Sequence, residues 1–340
     1  MTTAARAAEA DAAALSFQAA LAKTGTQTAI KVLVLWQSLA SNAQARERTA
    51  WLAQVVNLVM ARRSATHDLA VAYYRLARAL RLDETVPKPG AAGAAEATFD
   101  ELRREFRLLV EATGAPAPGK QAPGLDKAVV RIDQKLTQLL ELTDAIERQA
   151  QREAAVTLAA TGPDRLTKKL DELDTTQPAD TVDKARQDAR DVTGAEVAAT
   201  ADRIVRDGGR NAVFEAIAKD PKAIGWARVS DGNPCHFCAM LISRGAVYKS
   251  EKSAKFAIYG DGDKYHNNCG CTVVPIFNKG DDNGEAFAEN RHYAQVWKDF
   301  QKYDGDLGNG DIYSQWRRYL ALTKRTARSG DTKTAQEASA

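Results

Sequence analysis

The sequence predicts a mainly α-helical protein: an elongated multi-helix N-terminal region followed by a small α+β module, stapled by cysteines, near the C-terminus. Three observations predict it. Apolar residues recur at spacings of three and four through most of the first two-thirds of the chain. Alanine is abundant and aromatic residues make up 7% of the 340 positions, a balance that favours helices over a β-sandwich. All four cysteines fall in two short clusters, Cys235 with Cys238 and Cys269 with Cys271, which is the pattern of a cross-linked knuckle and not of scattered core residues.

Taken in order, residues 1–85 read as a helical bundle. Leu33, Trp36, Leu39 and Ala40 share one face, Trp51, Val55, Leu58 and Val59 the next, and Leu69, Tyr73, Leu76, Ala77 and Leu80 a third. No Gly or Pro interrupts Thr26 to Thr85, so the chain is expected to turn back through polar joints such as Ser41-Asn42 and Ser64-Ala65-Thr66. The Pro- and Gly-rich stretch from Val86 to Gly93 reads as a linker. Residues 95–220 read as long helices with Pro/Gly linkers. One helix runs through Phe99, Leu102, Phe106, Leu109 and Val110, and a second linker spans Thr113 to Gly119. A long helix is expected from Leu125 to Ala160 on the stripe Val129, Ile132, Leu136, Leu139, Leu140, Thr143, Ile146 and Ala150, suited to a bundle or a coiled coil. A short helix near Asp164 to Leu173 follows. Thr181 to Lys219 is then helical, with Gly208-Gly209 expected to kink or divide it.

After Pro221 the texture changes. Residues 221–279 read as the cysteine module, with Ile224 to Val229 a strand entering the first cysteine pair and Thr272 to Phe277 a strand leaving the second. The charged segment Lys249 to Asp263 lies between them, with a turn at Gly260 to Asp263. C-terminal helices are expected in 280–325, around Ala286 to Tyr303 and Ile312 to Lys324, and 326–340 is expected to be a disordered polar tail.

Charge and hydropathy exclude several classes. The formal net charge is +3, from 47 basic and 44 acidic residues, so composition alone does not mark a nucleic-acid binder. No apolar run is long enough for a membrane span, and Met1 to Asp11 lacks the regions of a secretory signal.

The chemistry concentrates in C-x2-C, Cys235 and Cys238, followed by H-x2-C-x-C, His266, Cys269 and Cys271. Thiolate sulfur and imidazole nitrogen suit tetrahedral zinc, which closes small modules. Disulfides and free buried thiols are the alternatives. A C-x-C pair is awkward as two ligands of one tetrahedral ion, so His266 is expected to be able to replace one of Cys269 and Cys271. His236 is read as a surface residue or a neighbour of the ligands, and His67 and His292 as ordinary helix residues.

The run from Arg228-Val229 through Cys235-His236-Phe237-Cys238-Ala239-Met240-Leu241-Ile242-Ser243-Arg244-Gly245-Ala246-Val247-Tyr248, with Tyr265-His266-Asn267-Asn268-Cys269-Gly270-Cys271-Thr272-Val273-Val274-Pro275, resembles the Mu F-like minor head proteins of tailed bacteriophages. It is most similar to the versions in phages of actinobacteria, some of which are labelled capsid maturation proteases. The resemblance covers mainly residues 200–280. It implies a virion protein of low copy near the portal vertex, assembled in the host cytoplasm. Its partners would be the portal protein and a scaffold or major capsid protein, and its role head assembly and DNA packaging or delivery.

A protease would need a nucleophile beside His266, either a cysteine or Ser243, with Asp261 or Asp263 to orient the ring. No nucleophile elbow and no H-E-x-x-H helix accompany these residues, so an enzyme is not expected. Ser243-Arg244-Gly245 reads instead as a helix end with Gly245 as its left-handed cap. DNA contact is conceivable through Arg317, Arg318, Lys324 and Arg325, interleaved with Trp316 and Tyr319.

Overall fold

The computed structural model describes residues 3–40, 43–91, 93–248 and 265–323. The Ser41-Asn42 joint, the Lys249 to Asp263 segment, Lys324, Arg325 and the 326–340 tail lie outside the described residues. Within them the protein is mainly α-helical, with two small three-stranded sheets.

Three long helices carry the fold: α1 (Thr3–Ser38), α2 (Ala45–Leu82) and α6 (Ala179–Lys219). At about 1.5 Å per residue each is more than ~50 Å long, which makes this region elongated as predicted. α6 runs antiparallel to α1, with Trp36 Nε1 donating to the Arg190 carbonyl at 3.0 Å near one end and Gly209 facing Phe17 and Leu21 further along. It runs parallel to α2, where Thr66 Oγ1 donates to the Val205 carbonyl at 2.6 Å and Arg78 Nε pairs with Asp220 at 2.8 Å. Both members of that last pair are fully buried.

The shorter helices pack on this trio. α3 (Phe99–Ala112) begins with a capping box, Thr98 and Glu101 bonding each other's backbone amides. It buries Phe99, Leu102, Phe106 and Val110, all on the predicted stripe, with Leu109 partly buried at its margin. α4 (Asp144–Thr161) and α5 (Pro163–Asp171) cover the Trp36 and Trp51 end of the bundle. α7 (His236–Ile242), α8 (Ala288–Lys302) and α9 (residues 312–323) surround the cysteines. No helix among the described residues is long and apolar enough to cross a membrane.

Four expectations are corrected. The expected helix from Leu125 to Ala160 is a strand, a turn and a shorter helix. β3 (Val129–Ile132) pairs parallel with β1 (Glu84–Thr85) and antiparallel with β2 (Glu96–Thr98). Val130 and Ile132 are buried in strand alternation, Leu139 and Leu140 are buried from a loop, and the helix starts only after the Thr143 cap. Secondly, the Val86 to Gly93 linker is flanked not by helices directly but by two strands of one sheet, β1 and β2, and Val86 is buried. Thirdly, Ser64-Ala65-Thr66 is no joint. α2 passes straight through, and the Thr66 hydroxyl is satisfied within the helix layer by the Arg63 carbonyl at 2.8 Å and the Val205 carbonyl of α6. Fourthly, Gly208-Gly209 neither kinks nor divides α6. A Cβ at Gly208 would lie 2.5 Å from the Arg63 carbonyl oxygen, and one at Gly209 2.7 Å from Leu21 Cδ2 and 2.8 Å from the Thr66 carbonyl oxygen. The two glycines let α6 pass close to both neighbours, α2 at Gly208 and both α1 and α2 at Gly209.

The cysteine module is built on the sheet β5–β4–β6: β4 (Gly225–Val229) sits between β5 (Ala246–Tyr248) and β6 (Thr272–Ile276), antiparallel to both. Its inner residues Ala227, Val229, Val273 and Ile276 belong to the same core as Phe17, Tyr73 and Phe106 of the helices. The sheet therefore fixes the two cysteine segments, which leave β4 and enter β6, against the bundle.

Alanine at Gly208 would gain about 1 kcal/mol of helix propensity but lose about 1–3 kcal/mol to overpacking against backbone that cannot give way. Gly208→Ala is expected to lower the urea midpoint of the chain, whereas alanine at a solvent-facing α6 position such as Asp188 should leave it unchanged or raise it.

Candidate metal centre

Cys235 is the N-cap of α7, in extended conformation, and its Sγ accepts the Cys238 amide at 3.3 Å. The C-x2-C turn therefore arises from a helix start, with Cys238 one turn in and fully buried. α7 ends as expected, with Gly245 at φ +65°. The second segment folds back over it through a tight turn. The Cys269 amide donates to the His266 carbonyl, and Asn268 adopts φ +63° in the left-handed region that Asn tolerates.

The five predicted donors converge. His266 Nε2 is 3.0 Å from Cys235 Sγ and 3.8 Å from Cys238 Sγ, and Cys238 and Cys269 Sγ are 3.4 Å apart. They form two triads, Cys235–Cys238–His266 and Cys238–Cys269–Cys271, which share Cys238. Within each, the donor atoms lie within 4.8 Å of one another. All four cysteines are free thiols, with the Cys238 and Cys269 sulfurs in contact and unbonded. The donor set is all thiol and imidazole, the chemistry that soft or borderline cations take up.

The thiols do not share their protons evenly. Hydrogen bonds from Cys238 and Cys271 hold the Cys269 thiol far down, to about 2. Giving those bonds pushes Cys238 up to about 12 and Cys271 well above the thiol range. Burial raises Cys235, but the Cys238 amide and His266 outweigh it and bring the thiol below its ordinary value. Burial lowers His266, and its bonds to the Asn267 carbonyl and to Cys235 more than restore it, leaving the imidazole raised. His266 Nδ1 lies 2.7 Å from the Asn267 carbonyl, so Nε2 is the nitrogen turned to the sulfurs.

Outside the donors, the cluster is held by residues that the sequence did not mark as its supports. Asn267 bonds α6 twice, accepting from Arg203 Nε at 3.0 Å and donating to Thr200 Oγ1 at 3.1 Å. Arg210 of α6 donates to the Cys269 carbonyl. Gln18 of α1 donates to the Gly270 carbonyl at 3.1 Å. Asn290 of α8 donates to the Arg228 and Ile242 carbonyls at 2.8 and 2.9 Å, and Trp316 Nε1 of α9 to the His236 carbonyl at 2.8 Å. Two further neighbours, Arg228 beside Cys238 Sγ and Tyr265 beneath Arg228 and Arg210, did carry a signal: Arg228 is the one charge inside a short apolar strand, and Tyr265 adjoins His266.

Other candidates lie elsewhere. Ser243 Oγ is tied to the Met240 carbonyl of its own helix at 2.7 Å, and Asp261 and Asp263 lie outside the described residues. The His236 ring rests on Tyr313, while His67 lies beside Asp68 and His292 beside Tyr293. Arg317 and Arg318 are exposed on α9, Arg318 donating to the Leu307 and Asn309 carbonyls. Trp316 and Tyr319, which flank them in sequence, are buried in the module core, turned away from any base face.

Comparison with known proteins places this site in a phage context. Residues 144–300, from the start of α4 into α8, match the family described as VG15 protein. The chain is 30% identical to the Gene 15 protein of Mycobacterium phage D29, in an alignment covering 31% of this chain and 47% of that protein. The chain thus spans about half the length of the curated relative it matches. No solved structure matches it. All five donors fall in the family-matched span, whereas α1 to α3 lie outside it.

Because Cys238 and Cys271 hold their protons in the metal-free protein, zinc uptake is expected to release protons and to weaken as pH falls. Titration calorimetry in two buffers of different ionisation enthalpy, repeated at two pH values, measures both. Asn267→Ala, which cuts both ties from the His266 turn to α6, is expected to weaken zinc binding about 10-fold or more in the same titration.

Proposed function

We propose that this chain is a minor structural protein of a tailed-phage head, seated at the portal vertex and closed in its C-terminal module by a structural zinc ion. The observation that carries the reading is that one span holds three things: the match to a phage protein family, the resemblance to Mu F-like minor head proteins, and the convergence of Cys235, Cys238, His266, Cys269 and Cys271. Zinc fits the donors, since nitrogen and sulfur ligands in two pairs on a turn and a helix start are those of structural sites. Bound there, the ion would cross-link α7 to the turn entering β6.

The chain's own residues do the mechanical part. The long helices α1, α2 and α6 form a stiff platform that offers its outer faces to portal, scaffold or major capsid protein. The sheet and the ties from Gln18, Arg210 and Asn267 hold the knuckle rigidly on it. Contact with packaged DNA would run through phosphates at Arg317, since the neighbouring rings are buried.

One observation favours a second reading. Cys235 Sγ, at a helix N-terminus, lies 3.0 Å from His266 Nε2 with its thiol pKa lowered, which is also the pairing of a cysteine nucleophile and its base. A head maturation protease built this way would lose processing of capsid precursors on Cys235→Ser while the chain stays folded.

Quantitative mass spectrometry of purified particles tests the main reading. A few intact copies per particle are expected, with zinc near one equivalent per chain by elemental analysis of the isolated protein. Absence from mature particles, together with processing lost in Cys235→Ser, would establish the protease instead.

A further inference from the structure

We propose that Arg228 and Arg210, gripping Tyr265 between them, are the built-in counter-charges of an anionic, thiolate-rich metal centre. The inference rests on the metal reading above and deepens it by naming the residues that make the charge of the site tolerable.

The geometry is as follows. Arg228 reaches from the fourth position of β4 and Arg210 from α6, and their guanidinium carbons stand 4.2 and 4.1 Å from the centroid of the Tyr265 ring. All three side chains are buried, at 7%, 1% and 7% exposure. Arg228 Nη1 is 4.0 Å from Cys238 Sγ, the sulfur common to both triads. Arg210 donates to the carbonyl of Cys269, whose sulfur touches that of Cys238. The two cations thus approach the donor cluster at its shared sulfur and at the backbone of its next member. The ring aligns them, since a guanidinium stacks on the face of a tyrosine.

Such an arrangement has a chemical reason. A divalent ion with three thiolates and an imidazole carries one net negative charge, and with four thiolates two. A charge of that kind is costly to bury without a compensating partner. Arg210 is partly committed to Asp207, whose Oδ1 lies 3.2 Å from its Nη1. Arg228 faces the sulfurs most directly, and Asp207 sets how much of the charge on Arg210 remains for the site.

Three full-length variants test this by zinc affinity, read in competition with a chromophoric chelator, with folding followed by circular dichroism. Arg228→Met is expected to bind zinc about 10–100-fold more weakly, and Arg228→Lys, which keeps the charge and loses the fork, to stay near wild type. Asp207→Asn removes a half-buried negative charge shared between Arg210 and Arg203, and zinc is expected to bind several-fold more tightly. A general loss of packing does not produce that opposite sign, so this variant decides the matter even if Arg228→Met does not fold. Equal weakening by Met and Lys, or no tightening in Asp207→Asn, overturns the counter-charge role while leaving the metal site standing. A wild-type chain that takes up no zinc overturns the metal reading and this inference together.

Discussion

Arg210 is the point on which the arrangement turns. It stands on α6 one residue after the glycine pair that lets α6 approach α1 and α2, and it is almost wholly buried. From there it holds the Cys269 carbonyl, covers the Tyr265 ring and pairs with Asp207. The first two contacts join the long-helix platform to the segment carrying His266, Cys269 and Cys271, and the third steadies the guanidinium within α6. A longer side chain at Gly208 or Gly209 would push α6 outward and carry the guanidinium off the cysteine turn. The close approach of three helices, a packing matter, and the position of a thiol cluster, a chemical one, are therefore set by the same few residues.

Much of this was legible in the sequence, for reasons that differ by element. The long helices follow from apolar spacing sustained over many turns. The strands β4 and β6 follow from short apolar runs flanking the cysteines. The donors were legible because cysteine and histidine are rare in this chain and clustered, so their convergence needed little knowledge of the fold. β3 was not legible: Val129-Val130-Arg131-Ile132 is four residues long, and its partners lie more than thirty residues upstream. Nothing local distinguishes its alternation from the start of a helical stripe. The glycine pair misled because the same residues serve a kink and a close approach, and only the neighbouring helices decide between them. Arg210 was opaque for a similar reason. An arginine on a helix reads as surface charge, and its burial depends on a carbonyl and a ring brought from elsewhere in the chain.

The charge chemistry of the interior points the same way as the packing. Glu9 receives Arg103 in a two-pronged pair at 2.6 Å for each bond, and Asp11 receives Arg81 at 2.9 Å and the Glu285 amide at 2.8 Å. Arg81 also reaches Asp281, which in turn caps the amides of Phe277 and Asn278 just after β6. Breaking a buried pair by removing one partner typically costs about 3–5 kcal/mol, far more than a surface pair. These pairs act less as general glue than as fixed joints, each with one acceptable geometry.

Those joints bear on how the family-matched span should be understood. The match begins at α4, yet α1 supplies Gln18 to the turn between Cys269 and Cys271, Asp11 to the backbone after β6, and Phe17 to the core beneath the sheet. Among the described residues the β4 and β6 faces are covered by helices from both sides of that boundary. A metal-closing module that leaned on nothing else would need its ion for most of its stability, as very small domains do. Here the sheet is already buried in the common core of the long helices, while the thiols are buried in a second core shared with α7, α8 and α9. The donors therefore do local work: they fix α7 and the His266 turn to each other, on a platform whose rigidity comes from α1, α2 and α6. A module positioned in that way takes its shape from the platform, and a cation held by the five donors would bear on that shape only at the knuckle itself.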